Sequence, residues 1–418
     1  MTVSTLSFID KDGLRSLTDV LLVREGDAPH QARGKRLLQL LLVVALAGAF
    51  AALIALAKGH HVMGTTSESS WGVLIATYVF LVASTTGLCL VSSLGHVFGF
   101  ELFEPIAKKA MFLALVMLLA GFAVIATELE RPFLLLKWAV LSPNPSAPIW
   151  WMGTLYGVYT VLIVVELTYL FSDDHQKARV AGLIGVIAAV AAQSNLGAVF
   201  GLSHSRPFWY GPLVPVYFIA LSLVCGAALL ILIVTLGDYF GRDGDLRPEN
   251  ARLVDALRKL LALFLATLVF FTVWRMLSGV AGKQPHVLEV TLASLTGPLF
   301  VSFWVFEILL GMLVPLVLLL GPWRRSWQAV ALGAFLPMLS VFVMRYNFVV
   351  SGQMFSLKPV VGHAGERLTY SPPFKGNVAG FLPYTPSWVE VLVVAGAVAA
   401  ATLLFVAGLR ALRLEKEA

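Results

Sequence analysis

The chain has 418 residues, of which 58% are hydrophobic and 13% are charged, with a formal net charge of +6 at pH 7. Its mean hydropathy is +0.85. Soluble globular domains contain about 25% charged residues, so this composition excludes an ordinary soluble domain. Apolar runs of about 20 residues, long enough to cross a bilayer as helices, recur along the whole chain.

These runs predict an all-α integral membrane protein with about ten transmembrane helices. The spans are predicted at 35–57, 71–97, 108–127, 149–171, 177–201, 211–236, 255–279, 288–320, 326–346 and 388–411. The segment 1–34 lacks the residue order of a signal peptide. Because 5–23 mixes apolar and charged residues, we expect an amphipathic helix on the membrane surface there.

Positive charge predicts the orientation, because Lys and Arg near span ends are retained in the cytoplasm. The basic residues near span ends fall on one side: Arg33, Lys35, Arg36, Lys108, Lys109, Lys177, Arg179, Arg242, Arg247, Arg252, Arg258, Lys259, Arg324, Arg325, Arg410, Arg413 and Lys416. We therefore expect both termini on the cytoplasmic side of the membrane. Topology explains the net charge without nucleic-acid binding.

The outer side then receives the loops 58–70, 128–148, 202–210, 280–287 and 347–387. The last is the longest, and its aromatic and Pro-rich stretches 370–374 and 381–386 favour a rigid surface docked to a partner. A self-folded cap that contacts no partner is the alternative.

Cysteine and histidine usage argues against a bound redox centre. Cys89 and Cys225 lie within spans and have no cluster spacing, which predicts that this protein binds no iron–sulfur cluster. Of the eight His, only His96 falls within a span, so facing axial ligands for a haem are missing. The sequence also predicts no metal site.

Ionisable residues at membrane depth are costly, and each is a candidate functional residue. One set crowds the predicted outer ends of the spans: Glu128, Glu130, Arg131, Gln193, Ser194, Asn195, His204, Arg206, Arg275, Glu289 and Arg345. This set predicts an outward-facing polar pocket. Glu128, Glu130 and Arg131 have an alternative role as a helix-end ion network.

A second set extends inward: Ser84, Thr85, Thr86, Ser92, Ser93, His96, Glu166 and Glu307. With a rise of about 1.5 Å per residue, Glu166 and Glu307 both fall toward the cytoplasmic third of their spans. Together the set predicts a proton path from the cytoplasm to the pocket. Alternatively, the hydroxyls bond their own helix at i−4 and the acids are structural.

An offset of about 140 residues superposes the second to fifth spans on the sixth to ninth. Glu166 then falls on Glu307, and His204 falls on Arg345. We therefore expect two parallel four-helix bundles, 71–210 with the pocket and 211–346. The peripheral parts are 35–70, with the first helix, and 388–418, with the last helix and the cytoplasmic tail.

Several motifs carry a family resemblance over residues 35–412. They are Trp71-Gly72-Val73, Glu128-Leu129-Glu130-Arg131-Pro132, Gln193-Ser194-Asn195-Leu196-Gly197, Arg206-Pro207-Phe208-Trp209, and Glu307-Ile308-Leu309-Leu310-Gly311 continuing to Pro315. In order and topology the chain resembles the NrfD/PsrC family of polysulfide reductase membrane subunits. The similarity is to the ten-span branch of quinone reductase complexes, alternative complex III and HybB-like hydrogenase subunits. Ala192 departs from hydrogenase-type relatives, some of which have His there.

The resemblance implies a quinone-binding membrane anchor that takes menaquinone or another quinone as substrate. On its outer side it would dock a periplasmic, ferredoxin-like iron–sulfur subunit, within a complex that also holds molybdopterin-type or multihaem cytochrome c subunits. The implied quinone pocket contains Glu128, Glu130, Arg131, Gln193, Asn195 and His204.

The chemistry of quinone reduction divides the outer residues by role. A nearby acid or His supplies protons to the quinone oxygens, while a cation stabilises negative charge that develops there. The acids Glu128 and Glu130 with His204 suit the first role, and Arg131 or Arg206 suits the second. We expect menaquinone reduction; quinol oxidation for a terminal reductase is the alternative.

Two other classes stay open from the sequence. A secondary transporter also has polar groups at membrane depth, but no pair of Gly/Pro-broken helices meets at the midplane here. A purely structural anchor would leave the intramembrane acids unexplained. Redox subunits that copurify would separate the transporter from the other two.

Overall fold

The computed structural model describes residues 21–23, 28–66, 69–129, 131–241, 244–284, 286–354, 360–361, 367–368, 384–412 and 414. Of the predicted surface helix at 5–23, only residues 21–23 are described. The aromatic stretch 370–374 and Glu130 lie outside the described residues.

The described part of the chain is helical apart from two paired two-residue strands, β1 (Val360–Val361) and β2 (Arg367–Leu368). The helices are α1 (Pro29–Lys58), α2 (Val73–His96), α3 (Ala107–Glu128), α4 (Pro132–Leu141), α5 (Pro148–Phe171), α6 (His175–Gly201), α7 (Val214–Gly241), α8 (Pro248–Ala281), α9 (Val287–Leu295), α10 (Ser302–Leu320), α11 (Trp327–Ser351) and α12 (Trp388–Ala411). Short 3₁₀ turns, such as Gly59–Val62 and Glu101–Ile106, join some of them. Within the described residues, ten helices are long and apolar enough to cross a membrane: all except α4 and α9. The predicted fold class is confirmed.

Helix contacts form two rings of four spans, and an extensive contact between α2 and α7 joins the rings. The first ring is α2, α3, α5 and α6; the second is α7, α8, α10 and α11. The rings meet where α2 and α6 contact α7 and where α11 contacts α2. The first and last spans, α1 and α12, pack on each other and against α3. These are the contacts expected of two four-helix bundles with two peripheral helices.

One predicted span was wrong in its extent. The sequence predicts one span over 288–320, but the chain forms α9, turns at 296–299 and begins α10 only at Ser302. The turn contains Gly297 followed by Pro298. Proline disfavours the helical conformation of the residue before it, and glycine loses more conformational entropy in a helix than any other residue does. Another helix, α4, occupies part of the predicted loop 128–148.

The two bundles approach closely where α2 crosses α7. Gly87 and Gly226 lie backbone to backbone at this crossing, and a Cβ at Gly87 would overlap the carbonyl oxygen of Ser222. Helices in membranes associate through such close contacts of small residues. The Gly87 crossing therefore sets the distance between the two bundles.

Replacing Gly87 with valine should destabilise the protein by about 3 kcal/mol, because the added atoms overlap main chain that cannot move aside. Thermal unfolding in detergent measures the loss. Gly157→Val is the matched control, since a Cβ at Gly157 on α5 meets nothing within 4 Å. Equal melting temperatures for the two variants would contradict the close crossing.

Candidate functional site

The short connections make successive spans antiparallel, so their ends collect at two faces. We call them the Glu128 end, where α3 ends and α12 begins, and the His96 end, where α2 ends and α3 begins. They correspond to the predicted outer and inner sides. Candidate residues lie at both ends.

Glu128 is the last residue of α3, and only 5% of its surface is exposed. Both of its carboxyl oxygens are buried, and neither accepts a hydrogen bond from any residue that the structure describes. Burying an ionised carboxyl without a donor is very unfavourable. Glu128 therefore has no evident structural role that requires a charge, and it suits a group that holds a proton.

A second carboxyl at the same end of the spans is also buried. Glu390, in the first turn of α12, is fully buried and interacts electrostatically with Glu128. It accepts hydrogen bonds from the backbone N–H of Gly64 at 2.7 Å, the hydroxyl of Tyr384 at 2.6 Å and the backbone N–H of Ser387 at 2.8 Å. The two acids thus meet very different surroundings.

Glu390 was absent from the predicted site. The sequence signal at this position, Ser387 followed three residues later by Glu390, is a capping box, and the structure contains it. That signal predicts where a helix begins. It does not reveal that the carboxyl binds the N–H of Gly64 and the hydroxyl of Tyr384.

Tyr384 joins α12 to the start of α2. Its hydroxyl donates to Glu390 and accepts a hydrogen bond from the backbone N–H of Val73 at 2.8 Å. Burial and the hydrogen bond to Glu390 raise the pKa of Tyr384 well above its usual range, so the phenol keeps its proton. Gly72 lies against the ring, where a Cβ would overlap the phenol.

Removing this hydroxyl with Tyr384→Phe should cost about 1–3 kcal/mol, because the buried N–H of Val73 loses its acceptor. Differential scanning fluorimetry of the purified protein measures the effect. Tyr346→Phe is the control: its ring lies 6.2 Å from that of Tyr384, but its side chain is only partly buried. Its melting temperature should stay near that of the unmodified protein, and an equal loss in both would contradict the assignment.

Among the described residues, no hydrogen bond joins the other predicted outer residues to the Glu128 carboxyl. Arg131 is exposed, and His204 donates to its own loop at the carbonyl of Leu202, 3.0 Å away, with its ring 4.5 Å from Tyr210. Arg206 lines a small cavity of about 10 Å³. That volume holds roughly one water molecule. Their roles toward a quinone stay predictions.

The predicted amides lie deeper and bind protein groups. Gln193 is fully buried: its carbonyl accepts from the hydroxyl of Tyr156 at 3.0 Å, and its amide donates to the carbonyl of Phe218 at 3.1 Å. Asn195 donates to the carbonyl of Pro148 at 2.9 Å. Both amides hold α6 against neighbouring helices, and their predicted quinone contacts stay untested.

Arg345 shares the Phe218 carbonyl with Gln193. The buried guanidinium lies 3.8 Å from the Phe218 ring centroid, and its Nη2 is 3.4 Å from the carbonyl oxygen. Its Nε and Nη1 are buried without an acceptor among the described residues. A charged residue in α11 is visible in the sequence, but only the fold places it where the two bundles meet.

Glu307 lies at the opposite depth from that predicted. It is buried, and its carboxyl accepts from the side-chain amide of Asn347 at 2.6 Å. Because α10 begins at Ser302, Glu307 lies five residues from the Glu128 end of its span, in a π-helical segment. The expected depth near the cytoplasmic third was wrong, since it assumed an unbroken span from 288.

The same break affects the predicted repeat. Glu166 lies five residues before α5 ends at the His96 end, so the two acids occupy opposite halves of their spans. Superposing Glu166 on Glu307 is therefore wrong as a structural equivalence.

At the His96 end, two members of the predicted proton path are in contact. The Nε2 atom of His96 lies 2.6 Å from Glu166, which is fully buried. The other Glu166 oxygen is buried without a donor in the described structure. Two glycines of α6, Gly182 and Gly185, make room for this carboxyl, because a Cβ at either would crowd it.

His96 also borders a polar cavity of about 250 Å³. Its wall includes Glu104, Lys108, Asp173 and His175. The hydrogen bond from Lys108 lowers the pKa of Asp173, so the cavity mouth keeps an ion pair. The cavity thus lies against the His96 side chain that contacts the buried Glu166, and a proton path through it stays a prediction.

The hydroxyls of α2 mainly bond their own helix. Ser84 donates to Phe80, Thr85 to Leu81 and Ser93 to Cys89, each four residues back. Ser92 bonds Cys89 as well, and Thr86 bonds Val82 and lies 3.5 Å from Gln193. This geometry favours the packing alternative for Ser84, Thr85 and Ser93.

Two tyrosines that sequence reasoning missed share the buried face of α5 with Glu166. Tyr156 and Tyr159 are fully buried, and the Tyr159 hydroxyl is 3.5 Å from the carbonyl of Thr85. Their spacing from Glu166, ten and seven residues, is that of one helix face. This spacing was a usable signal in the sequence.

Comparison with known proteins assigns the family. The family model described as "Polysulphide reductase, NrfD" matches residues 61–357. The chain belongs to the NrfD family. That range includes both bundles and all the spans except α1 and α12.

Three relatives extend the similarity. The chain is 29% identical to a putative dimethyl sulfoxide reductase membrane subunit of Halobacterium salinarum, over 91% of each protein. It is 25% identical to the Hdr-like menaquinol oxidoreductase integral membrane subunit of Archaeoglobus fulgidus, over 84% of this protein and 87% of that one. It is 24% identical to a polysulfide reductase subunit of Wolinella succinogenes, over 68% and 95%. This NrfD-family protein is thus similar to membrane subunits of oxidoreductases.

Proposed function

We propose that this protein is the quinone-binding membrane subunit of a respiratory oxidoreductase complex. It exchanges electrons between a periplasmic iron–sulfur partner and the menaquinone pool. The observation that carries the proposal is Glu128, a buried carboxyl without a hydrogen-bond donor among the described residues, at the end of a span. Membership of the NrfD family and the names of the relatives support the quinone assignment.

Reduction of a quinone consumes two electrons and two protons. The partner supplies the two electrons. Glu128 passes one proton to a quinone oxygen, is reprotonated by a proton that enters at the His96 end, and passes that second proton to the other reduced oxygen, while a nearby cation stabilises developing negative charge. Arg131, in the connection between α3 and α4, is the cation closest in sequence to Glu128. A carboxyl that holds its proton at rest favours menaquinone reduction as the forward direction.

Quinol oxidation uses the same atoms in reverse, with Glu128 accepting a proton. The relatives named as reductases of dimethyl sulfoxide and polysulfide favour this second direction, because a terminal reductase needs an electron donor. Measuring quinone reduction and quinol oxidation in the same preparation decides between the two.

Protons would reach the membrane interior from the His96 end. The polar cavity, His96 and Glu166 form a continuous series on that side. If electrons enter at the Glu128 end while protons enter at the His96 end, each turnover separates charge across the membrane. This route places Glu166 in the proton path and leaves Glu307, in the other bundle, without an assigned step.

Partner subunits would dock at the Glu128 end. We expect an iron–sulfur subunit there, with molybdopterin-type or multihaem cytochrome c subunits beyond it. Gentle detergent purification of the complex from its native membrane, with subunit identification and a metal inventory, tests this arrangement. Copurified redox subunits with quinone activity support the proposal. A stable particle of this protein alone, with no quinone activity, would favour a transporter instead.

A further inference from the structure

Three aromatic rings meet where the peripheral helix α1 joins the second bundle, at the His96 end of the spans. The ring of Tyr239, near the end of α7, lies 6.1 Å from that of His30 at the start of α1 and 5.4 Å from that of Trp327 at the start of α11. Helices α1 and α11 both contact α7, yet among the described residues they make no extensive contact with each other. A groove over the end of α7, which we call the Tyr239 groove, therefore separates α1 from α11.

Two ring nitrogens in the Tyr239 groove are buried without a partner. Neither Nε2 of His30 nor Nε1 of Trp327 forms a hydrogen bond with any residue that the structure describes. An indole N–H can only donate, so the group that meets Trp327 has to be an acceptor. Leaving a buried donor unsatisfied is costly. The two nitrogens therefore point to an acceptor group that enters the groove.

Close packing holds His30 at this position. A Cβ at Gly34, one turn after His30 on α1, would lie only 2.9 Å from the ring of Phe240 on α7. A Cβ at Gly244, in the loop after α7, would lie 3.6 Å from Nδ1 of His30. The imidazole is thus held between α7 and the loop that follows it.

The rim of the Tyr239 groove is basic. Arg33 lies three residues after His30 on α1, and the 3₁₀ turn just before Trp327 contains Arg324 and Arg325. All three arginine side chains are exposed. They bring positive charge to both sides of the groove, at the end of the spans where lipid headgroups lie.

The acids of the neighbouring loop cancel little of this charge. Arg247 pairs with Asp238 at 2.7 Å and with Glu249 at 3.6 Å. The remaining acid that the structure describes in this loop is Asp245, which is exposed and accepts the backbone N–H of Leu246. The balance of charge among the described residues around the groove is therefore positive.

Toward the membrane interior, the Tyr239 groove continues along apolar surface. Leu37 lies seven residues after His30, on the same face of α1, and is 45% exposed. Leu236 lies three residues before Tyr239 on α7 and is 40% exposed. A positive rim with acceptor-seeking nitrogens above exposed leucines matches a molecule with an anionic head and apolar chains.

We propose that the Tyr239 groove binds one anionic phospholipid of the membrane. The phosphate accepts a hydrogen bond from Trp327 and lies among the arginines of the rim, while the acyl chains lie along the exposed leucines. Basic pockets between transmembrane helices recognise anionic lipid headgroups in this way. The lipid joins α1 to the second bundle, at the opposite end of the spans from Glu128 and separate from the quinone chemistry.

Native mass spectrometry of the purified complex tests this site. The complex is stripped of lipid in a neutral detergent and titrated with phosphatidylglycerol or with zwitterionic phosphatidylcholine. Arg324→Gln combined with Arg325→Gln should weaken binding of the tightest phosphatidylglycerol about 25-fold, since each basic residue near an anionic headgroup contributes about 5-fold. Lys177→Gln combined with Arg179→Gln, at the same end of the spans on α6, is the control with an equal change of charge. Its affinity should equal that of the unmodified complex.

Trp327→Phe provides a second variant, which keeps the aromatic ring and removes the N–H. Affinity for phosphatidylglycerol should fall about 10-fold, because a hydrogen bond to a charged acceptor is lost. The melting temperature without added lipid should stay near that of the unmodified complex, since this N–H bonds no described residue. An unchanged affinity would mean that the indole N–H meets water instead of lipid.

Two results would overturn the proposal as a whole. One is equally tight binding of phosphatidylglycerol and phosphatidylcholine, which would remove the role of the basic rim. The other is unchanged phosphatidylglycerol binding in a folded complex that carries Arg324→Gln and Arg325→Gln, or an equal loss in the control pair, either of which would place the lipid elsewhere.

Discussion

Glu128→Gln should reduce quinone turnover by about 10²–10⁴-fold, the usual contribution of a positioned general acid or base, while the complex still assembles. The amide has nearly the shape of the carboxyl but carries no transferable proton. Since the oxygens of Glu128 accept no hydrogen bond from the described residues, little structure depends on them. Steady-state turnover with a soluble menaquinone analogue measures the effect.

Glu101→Gln is the matched control for this variant. Glu101 is exposed in the 3₁₀ turn that leads into α3, at the far end of the same helix, so the charge change is equal. Its turnover should equal that of the unmodified complex. Full turnover in an assembled Glu128→Gln complex would remove this residue from the chemistry.

Glu166→Gln should slow turnover by about 10²-fold and abolish the membrane potential that turnover generates, because the buried carboxyl can no longer relay protons. The amide that replaces the carboxyl can still form a hydrogen bond with His96, whose Nε2 atom lies 2.6 Å from Glu166 in the unmodified protein. The defect should therefore be one of proton supply rather than of folding. Turnover and a voltage-sensitive dye are followed together in proteoliposomes.

Thr168→Val, on the exposed side of the same helix, is the control and should change neither quantity. Two outcomes are distinct for Glu166→Gln. Normal turnover with normal charge separation would exclude Glu166 from the proton path. Slow turnover with an unchanged number of charges separated per electron would show that Glu166 affects the rate without carrying the protons.

Much of the fold could be predicted because apolar length and loop charge are local properties of a membrane sequence. The ten spans follow from them, while the two bundles were predicted from the offset of about 140 residues between the two halves of the chain. The prediction of one span over 288–320 was wrong because Gly297 and Pro298 lie within a continuously apolar stretch, where hydropathy alone does not indicate a turn. Glu307 was then placed in the wrong half of the membrane.

The candidate site was harder to predict, because contacts between helices join residues that are far apart in the sequence. Glu128 and, at the opposite end of the spans, the contacting pair His96 and Glu166 could be found as costly ionisable residues at membrane depth. Glu390 was missed because its sequence context signals a helix cap, whereas its bond to Gly64, 326 residues earlier, depends on how α12 packs in the fold. The hydroxyls Ser84, Thr85 and Ser93 looked like a path, but they bond their own helix.

The central claim, that a quinone reacts beside Glu128, is tested most directly by photo-crosslinking. A menaquinone analogue with a photoreactive group on its ring is added to the purified complex, and labelled peptides are identified by mass spectrometry. The account predicts labels at the Glu128 end, near the end of α3 and the beginnings of α2 and α12, displaced by excess menaquinone. Displaceable labelling confined to the cavity beside His96, or none anywhere, would contradict it.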